Sequence, residues 1–154
     1  MMRKFEKISF EQFKKDVADD RTLYDSFSLP TRKTKNAAGY DFALLQDLKI
    51  APGETVKLPT GIKGLYGDGE VLLIIVRSST GFKYNIRLVN QVGVIDSDYY
   101  NNPDNEGHIF IKIKNEGDKT VEFKAGDAVA QGVIVKFLTT DDDQPLDASR
   151  TSDY

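Results

Sequence analysis

Ile62-Lys63-Gly64-Leu65-Tyr66-Gly67-Asp68-Gly69-Glu70-Val71-Leu72-Leu73-Ile74-Ile75-Val76 consists of a short apolar run, a glycine-aspartate-glycine turn and a longer apolar run. Glycine reaches the positive φ values that a tight hairpin turn demands, so the flanking runs read as two strands over 62–66 and 70–76. The same grammar continues outward. Gly117-Asp118 and Gly126-Asp127 are turn pairs, and Ile109-Phe110-Ile111-Lys112-Ile113-Lys114 is a strand with polar punctuation. Turn signals recur roughly every 8–12 residues, the spacing of a β-sandwich or barrel. Further strands are expected near 40–45, 55–58, 86–89, 92–95, 109–113, 120–123 and 129–138. The fold class is therefore all-β and jelly-roll-like, with one short helix ahead of it: in 5–19, Ser9 and Gln12 form a capping box, and Phe10, Phe13 and Val17 share a face. Three segments follow: an N-terminal extension over 1–28, a β domain over 29–139 and an acidic C-terminal arm over 140–154, where Asp141, Asp142, Asp143, Asp147 and Asp153 crowd together.

Composition narrows the chemistry. The chain has 154 residues, 40% of them hydrophobic and 29% charged, which suits one domain. With zero cysteines and a single histidine there is no disulfide framework, no Cys/His zinc site and no thiol nucleophile. Carboxylates, hydroxyls, amides and a hard metal ion remain. The net charge of −3 argues against a nucleic-acid partner. The run 71–76, flanked by Glu70 and Arg77, is far too short to span a membrane, and the N-terminus lacks the apolar core of a secretory signal. A soluble, cytoplasmic protein is expected.

Four patches could carry chemistry. Ala37-Ala38-Gly39-Tyr40-Asp41 gives way from small residues to an Asp at a strand start; the same Asp would serve as an ordinary turn residue. Arg77-Ser78-Ser79-Thr80-Gly81 ends a strand in a guanidinium and three hydroxyls, a donor set that suits phosphate or merely a polar turn. In Asn90-Gln91-Val92-Gly93-Val94-Ile95-Asp96-Ser97-Asp98-Tyr99-Tyr100, Gly93 permits a close approach and Val94-Ile95 anchor the segment. Asp96 is then a plausible general base at a strand end, or the polar end of a plain hairpin. Lys124 to Gly132 is a turn entering a strand, with the single amide Gln131 among small residues. His108 reads as a structural or surface residue.

Taken together and in order, the patches resemble the motifs of the trimeric dUTPases: Ala38-Gly39-Tyr40-Asp41, Arg77-Ser78-Ser79, Asn90 through Tyr99, and Gly126-Asp127-Ala128-Val129-Ala130-Gln131. Four motifs in order are far more specific than one. The resemblance covers roughly 29–138. It implies a homotrimer with active sites between subunits that hydrolyses dUTP to dUMP and pyrophosphate, limiting dUTP and supplying dUMP for thymidylate synthesis. By matching position, Asp96 would activate the attacking water. Asn90 and the backbone of Gly93, Val94 and Ile95 would read uracil, and Tyr99 would pack on the deoxyribose. Arg77, Ser78, Ser79 and Gln131 would hold the phosphates, and Asp41 would place Mg²⁺ through its waters. Asp98 would be structural, beside Arg77.

Three departures accompany the resemblance. The loop 100–106 is longer than in the shortest members. The extension before Leu29 has no assigned role, and it and the loop offer a surface for a protein partner. The family's Gly-rich C-terminal motif, which closes over nucleotide, has no counterpart up to Tyr154: either the sequence stops short of it or the protein has lost it, and in the second case turnover would be weaker while the pocket remained. The related dCTP deaminases share an RSS-like turn but need a Glu where this chain has Lys112. A weakly catalytic nucleotide-binding or regulatory protein is the other alternative.

Overall fold

The computed structural model describes residues 2–146; the expectations for Asp147, Asp153 and the stretch 149–154 lie outside the described residues. The architecture is all-β, assembled from antiparallel strands around one core. A turn at Gly67-Asp68-Gly69 joins β5 (Ile62–Leu65) to β6 (Glu70–Val76), but the two do not pair as the expected hairpin, because each finds its hydrogen-bonding partners in a different sheet. The central sheet has the order β2-β11-β6-β8, with β2 over Tyr40–Ala43, β8 over Gly93–Asp96 and β11 over Ala128–Lys136. A three-stranded sheet, β4-β9-β7, comprises Thr55–Pro59, Phe110–Asn115 and Ile86–Leu88. Two ribbons complete the wall: β10 (Val121–Phe123) pairs with β3 (Leu48–Ile50), and β1 (Lys4–Lys7) pairs with β5. The inner faces bury Leu72, Ile74, Ile86, Leu88, Ile111 and Ile113 in one cluster. Alternation along β9, with Ile111, Ile113 and Asn115 inside, is the period-two pattern that the sequence displays.

The N-terminal part differs from expectation. The expected helix over 5–19 divides into β1 and a shorter α1 over Phe10–Asp16, because β5 offers residues 4–7 a hydrogen-bonding edge in the register Phe5↔Gly64. Ser9 caps α1 by accepting the Gln12 N–H at 3.2 Å, but the reciprocal half of the capping box is absent: Gln12 turns to Asp16, and the Ser9 N–H goes instead to the Glu106 carboxylate at 2.7 Å. A second helix, α2 (Arg21–Ser26), is capped by Asp20. Phe10, Phe13, Tyr24 and Phe27 pack against one another beneath these helices as a second small core. The expected turn after β6 is a helix, α3 (Ser78–Tyr84), closed by Asn85 in the left-handed conformation at φ 55°. Thr80 and Gly81 are poor helix formers, so local propensity concealed it.

Candidate active site

Antiparallel register brings the first, second and fourth sequence patches together. β11 lies between β2 and β6, placing Gln131 opposite Asp41 on one side and Ile75 on the other. Arg77, just past the end of β6, reaches back so that its Nε lies 3.4 Å from Asp41 Oδ1, and its Nη1 donates to the Ala128 carbonyl at 3.3 Å. The Asp41 side chain is 8% exposed, and its Oδ2 is buried without a hydrogen-bond partner among the described residues. A buried carboxylate oxygen left bare is costly, so this atom is one that a cation or an ordered water would satisfy. Gly39 is required here, because a Cβ would sit 2.1 Å from Oε1 of Gln131. Ser78 and Ser79 present exposed hydroxyls in the first turn of α3.

The third patch forms a separate cavity of about 400 Å³. The turn connecting β7 to β8 supplies Leu88, Val89, Asn90, Gly93, Val94 and Ile95 as one wall, and Gly93 lies beside Ile74 in direct register. Gln91 holds the turn with φ 66°, while its N–H bonds to the Leu88 carbonyl at 3.0 Å. The opposite wall is Phe110, Ile111 and Lys112 of β9, with Lys57 of β4 seated over the Phe110 ring at 4.6 Å. Their place in this cavity escaped sequence reasoning, since only the pairing Lys57↔Lys112 brings β4 and β9 side by side here. The side chain that a deaminase would need as a carboxylate is the exposed Lys112.

Asp96 follows the cavity wall at the end of β8, its side chain exposed. The Tyr66 hydroxyl donates to the Ile95 carbonyl at 2.5 Å and holds the backbone there. Tyr99 ends a 3₁₀ turn, Ser97–Tyr99, and is only 8% exposed; it belongs to the core and is not among the residues lining the cavity. Arg77 makes its ion pair with Asp41, the partner that sequence reading had assigned to metal placement.

The separation of the two groups is large. Asp96 pairs with Val71, and Arg77 stands six positions further along that chain; at about 3.3 Å per residue the two are about 20 Å apart. One chain therefore holds two separate groups, a donor cluster of Arg77, Ser78, Ser79 and Gln131 around Asp41, and a slot with Asp96 at its end. The two cannot grip the same phosphate chain.

The dUTPase family model matches residues 25–153. The deoxyuridine 5'-triphosphate nucleotidohydrolase of Lactococcus lactis is 46% identical over 117 residues, covering 76% of this chain and 78% of the relative. The protein of the same name from Photorhabdus laumondii is 37% identical over 122 residues, 77% of this chain and 76% of the relative. Among solved structures, a dUTPase from Streptococcus mutans superposes with a TM-score of 0.71 at 45% identity, over 89% of this chain and 98% of that one. The dUTPase of a Staphylococcus aureus phage matches at a TM-score of 0.69 and 22% identity, over 94% and 96% of the chains, a likeness of fold alone.

Proposed function

The chain belongs to the dUTPase family, and from that premise we propose that it hydrolyses dUTP at sites shared between copies of itself, with Asp96 as general base and Arg77 supplied by a neighbouring copy. The observation that carries this reading is the distance of about 20 Å between Asp96 and Arg77 along the sheet, which leaves each chain half a site. A closed ring of three copies would join the halves with every interface equivalent.

Asn90 and the backbone of Gly93, Val94 and Ile95 read the uracil edge inside the cavity between the 88–95 turn and β9. Ile74 forms its floor: even a Cβ at position 93 would stand only 3.2 Å from Ile74 Cβ. A cavity this narrow rejects bulk at C5, and fixed backbone donors and acceptors reject cytosine. Tyr99, buried in the core, acts on the deoxyribose only indirectly, by fixing the turn that follows Asp96. Asp96 takes a proton from water as the water oxygen bonds to the α-phosphorus; the bond from phosphorus to the bridging oxygen breaks, and pyrophosphate departs from dUMP. Arg77, Ser78, Ser79 and Gln131 hold the phosphates as charge redistributes.

Mg²⁺ fits Asp41. The bare Oδ2 is a hard oxygen ligand, and Mg²⁺ is commonly held by one or two carboxylates, retained waters and substrate phosphates. When bound it offsets phosphate charge. In a cell, the reaction would restrain dUTP and provide dUMP for thymidylate synthesis. Pyrophosphate release from dUTP, dCTP, dTTP and UTP, each with and without Mg²⁺, tests the reading; strong preference for dUTP with Mg²⁺ is expected, and equal rates on UTP or dTTP would remove the specificity claim.

A further inference from the structure

His108 is the chain's single histidine, it is fully buried, and neither half-site uses it. Its Nε2 accepts the Gly61 N–H at 2.8 Å, and its Nδ1 lies 2.6 Å from Oδ2 of Asp16 on α1. With Nε2 occupied by a donor, the ring proton must sit on Nδ1 and point at Asp16, so the surroundings accept one tautomer of the neutral ring. The contacts continue toward the catalytic turn. The His108 carbonyl accepts the Tyr99 hydroxyl at 3.3 Å, and that hydroxyl accepts a bond from Asn105 at 2.5 Å. Tyr99 closes the 3₁₀ turn that begins directly after Asp96. Gly107, at φ 81°, passes so close that a Cβ would lie 2.4 Å from the Tyr99 carbonyl oxygen. Two further ties reinforce the join: the Tyr100 hydroxyl donates to Glu6 of β1 at 2.6 Å, and Glu106 accepts the Ser9 N–H that opens α1.

From this chain of contacts, and resting on the reading of Asp96 as general base, we infer that Asp16 and His108 are positioning residues for dUTP hydrolysis, through which the N-terminal helix holds the turn that carries Asp96. The arrangement tolerates no proton on Nε2. Protonation would set a second N–H against that of Gly61, and the hydrogen bond would become a repulsive contact. Burial lowers the pKa of the ring, Asp16 of α1 and Glu106 of the 100–107 loop oppose that, and Lys57 of β4 adds to it; β9 contributes only the uncharged ring of Phe110, at 4.3 Å.

The test is the pH dependence of kcat and KM for dUTP in the wild type, D16N, H108Q and Y99F, with D96N alongside. H108Q keeps an acceptor for Gly61 but cannot titrate, D16N keeps a hydrogen-bonding partner without charge, and Y99F loses a hydroxyl only. The expected result is a kcat about tenfold lower in each folded variant, as a misplacement of an ångström or less produces, with KM changed far less. H108Q should also lack the histidine step in the acid limb. Wild-type kcat and an unchanged acid limb in H108Q and Y99F, each with an intact melting transition, would overturn the inference. Wild-type turnover in D96N would instead remove the base assignment, and the reason for the relay with it.

Discussion

If Asp96 and Arg77 act on one nucleotide from different chains, two crippled chains should repair each other. D96N removes the base, and R77Q removes the guanidinium charge while keeping an amide that can still reach Asp41, whose buried carboxylate would otherwise lose its ion pair. D96N alone should lose about 10²- to 10⁴-fold in kcat, the usual contribution of a general base. R77Q alone should lose about 10²- to 10³-fold, as for a transition-state donor. In an equimolar mixture, refolded or co-expressed so that copies assemble at random, half of the chains bring an intact Asp96 and the other half an intact Arg77. A site drawing the two residues from different chains is whole in about a quarter of cases, so the mixture should recover about a quarter of wild-type pyrophosphate release. That is at least an order of magnitude above either parent. Both variants leave the β6–β8 register intact, so the assay reads site completion and not folding. A mixture no more active than the mean of its parents would mean that both residues serve from one chain, and the 20 Å argument would fail.

Other consequences are simpler. G39A forces the Gln131 amide out of its place, since the new Cβ would overlap Oε1 at 2.1 Å; kcat/KM should drop about tenfold or more while urea unfolding changes little, and an unaltered kcat/KM would remove Gln131 from the phosphate set. Ile113 is fully buried at the centre of β9; I113A should cost about 2–5 kcal/mol by urea denaturation with an unchanged slope, and a cost below 1 kcal/mol would contradict the packing described. Stability should fall on acidification. Above the ordinary imidazole value of 6.5 the His108 ring is neutral whether folded or unfolded; below it, the unfolded ring takes a proton that the buried ring refuses until its lower pKa is reached. The unfolding free energy should therefore fall by up to about 1.4 kcal/mol per pH unit as pH drops through that window, lowering the melting temperature with it, and H108Q should lack this component. Equal pH sensitivity in both proteins would contradict it.

The fold was legible where hydrophobic alternation and turn chemistry agreed. Gly67-Asp68-Gly69 marked the turn between β5 and β6, though the two strands enter different sheets, and the strands expected over 55–58, 62–66 and 70–76 lie within a residue of those observed. It was not legible where a tertiary partner decided the outcome. β1 forms because β5 has an open edge, and β3 is a three-residue strand that only its pairing with β10 defines. The four motifs marked both half-sites, yet their spacing along the chain gave no sign that Asp96 and Arg77 end up far apart. That follows from register alone, as does the Lys57–Phe110–Lys112 wall of the cavity. His108 read as a structural or surface residue and is structural, but its hold on Asp16 required a contact across 92 residues of sequence.

The central claim is dUTP hydrolysis through Asp96, and the direct measurement is pyrophosphate release from dUTP and UTP with Mg²⁺, on the wild type and on D96N, paired with dUTP binding by D96N. The account predicts turnover of dUTP far above UTP, its loss by about 10²- to 10⁴-fold in D96N, and dUTP binding by D96N close to that of the wild type. Undiminished turnover in D96N, or equal rates on the two nucleotides, would contradict it.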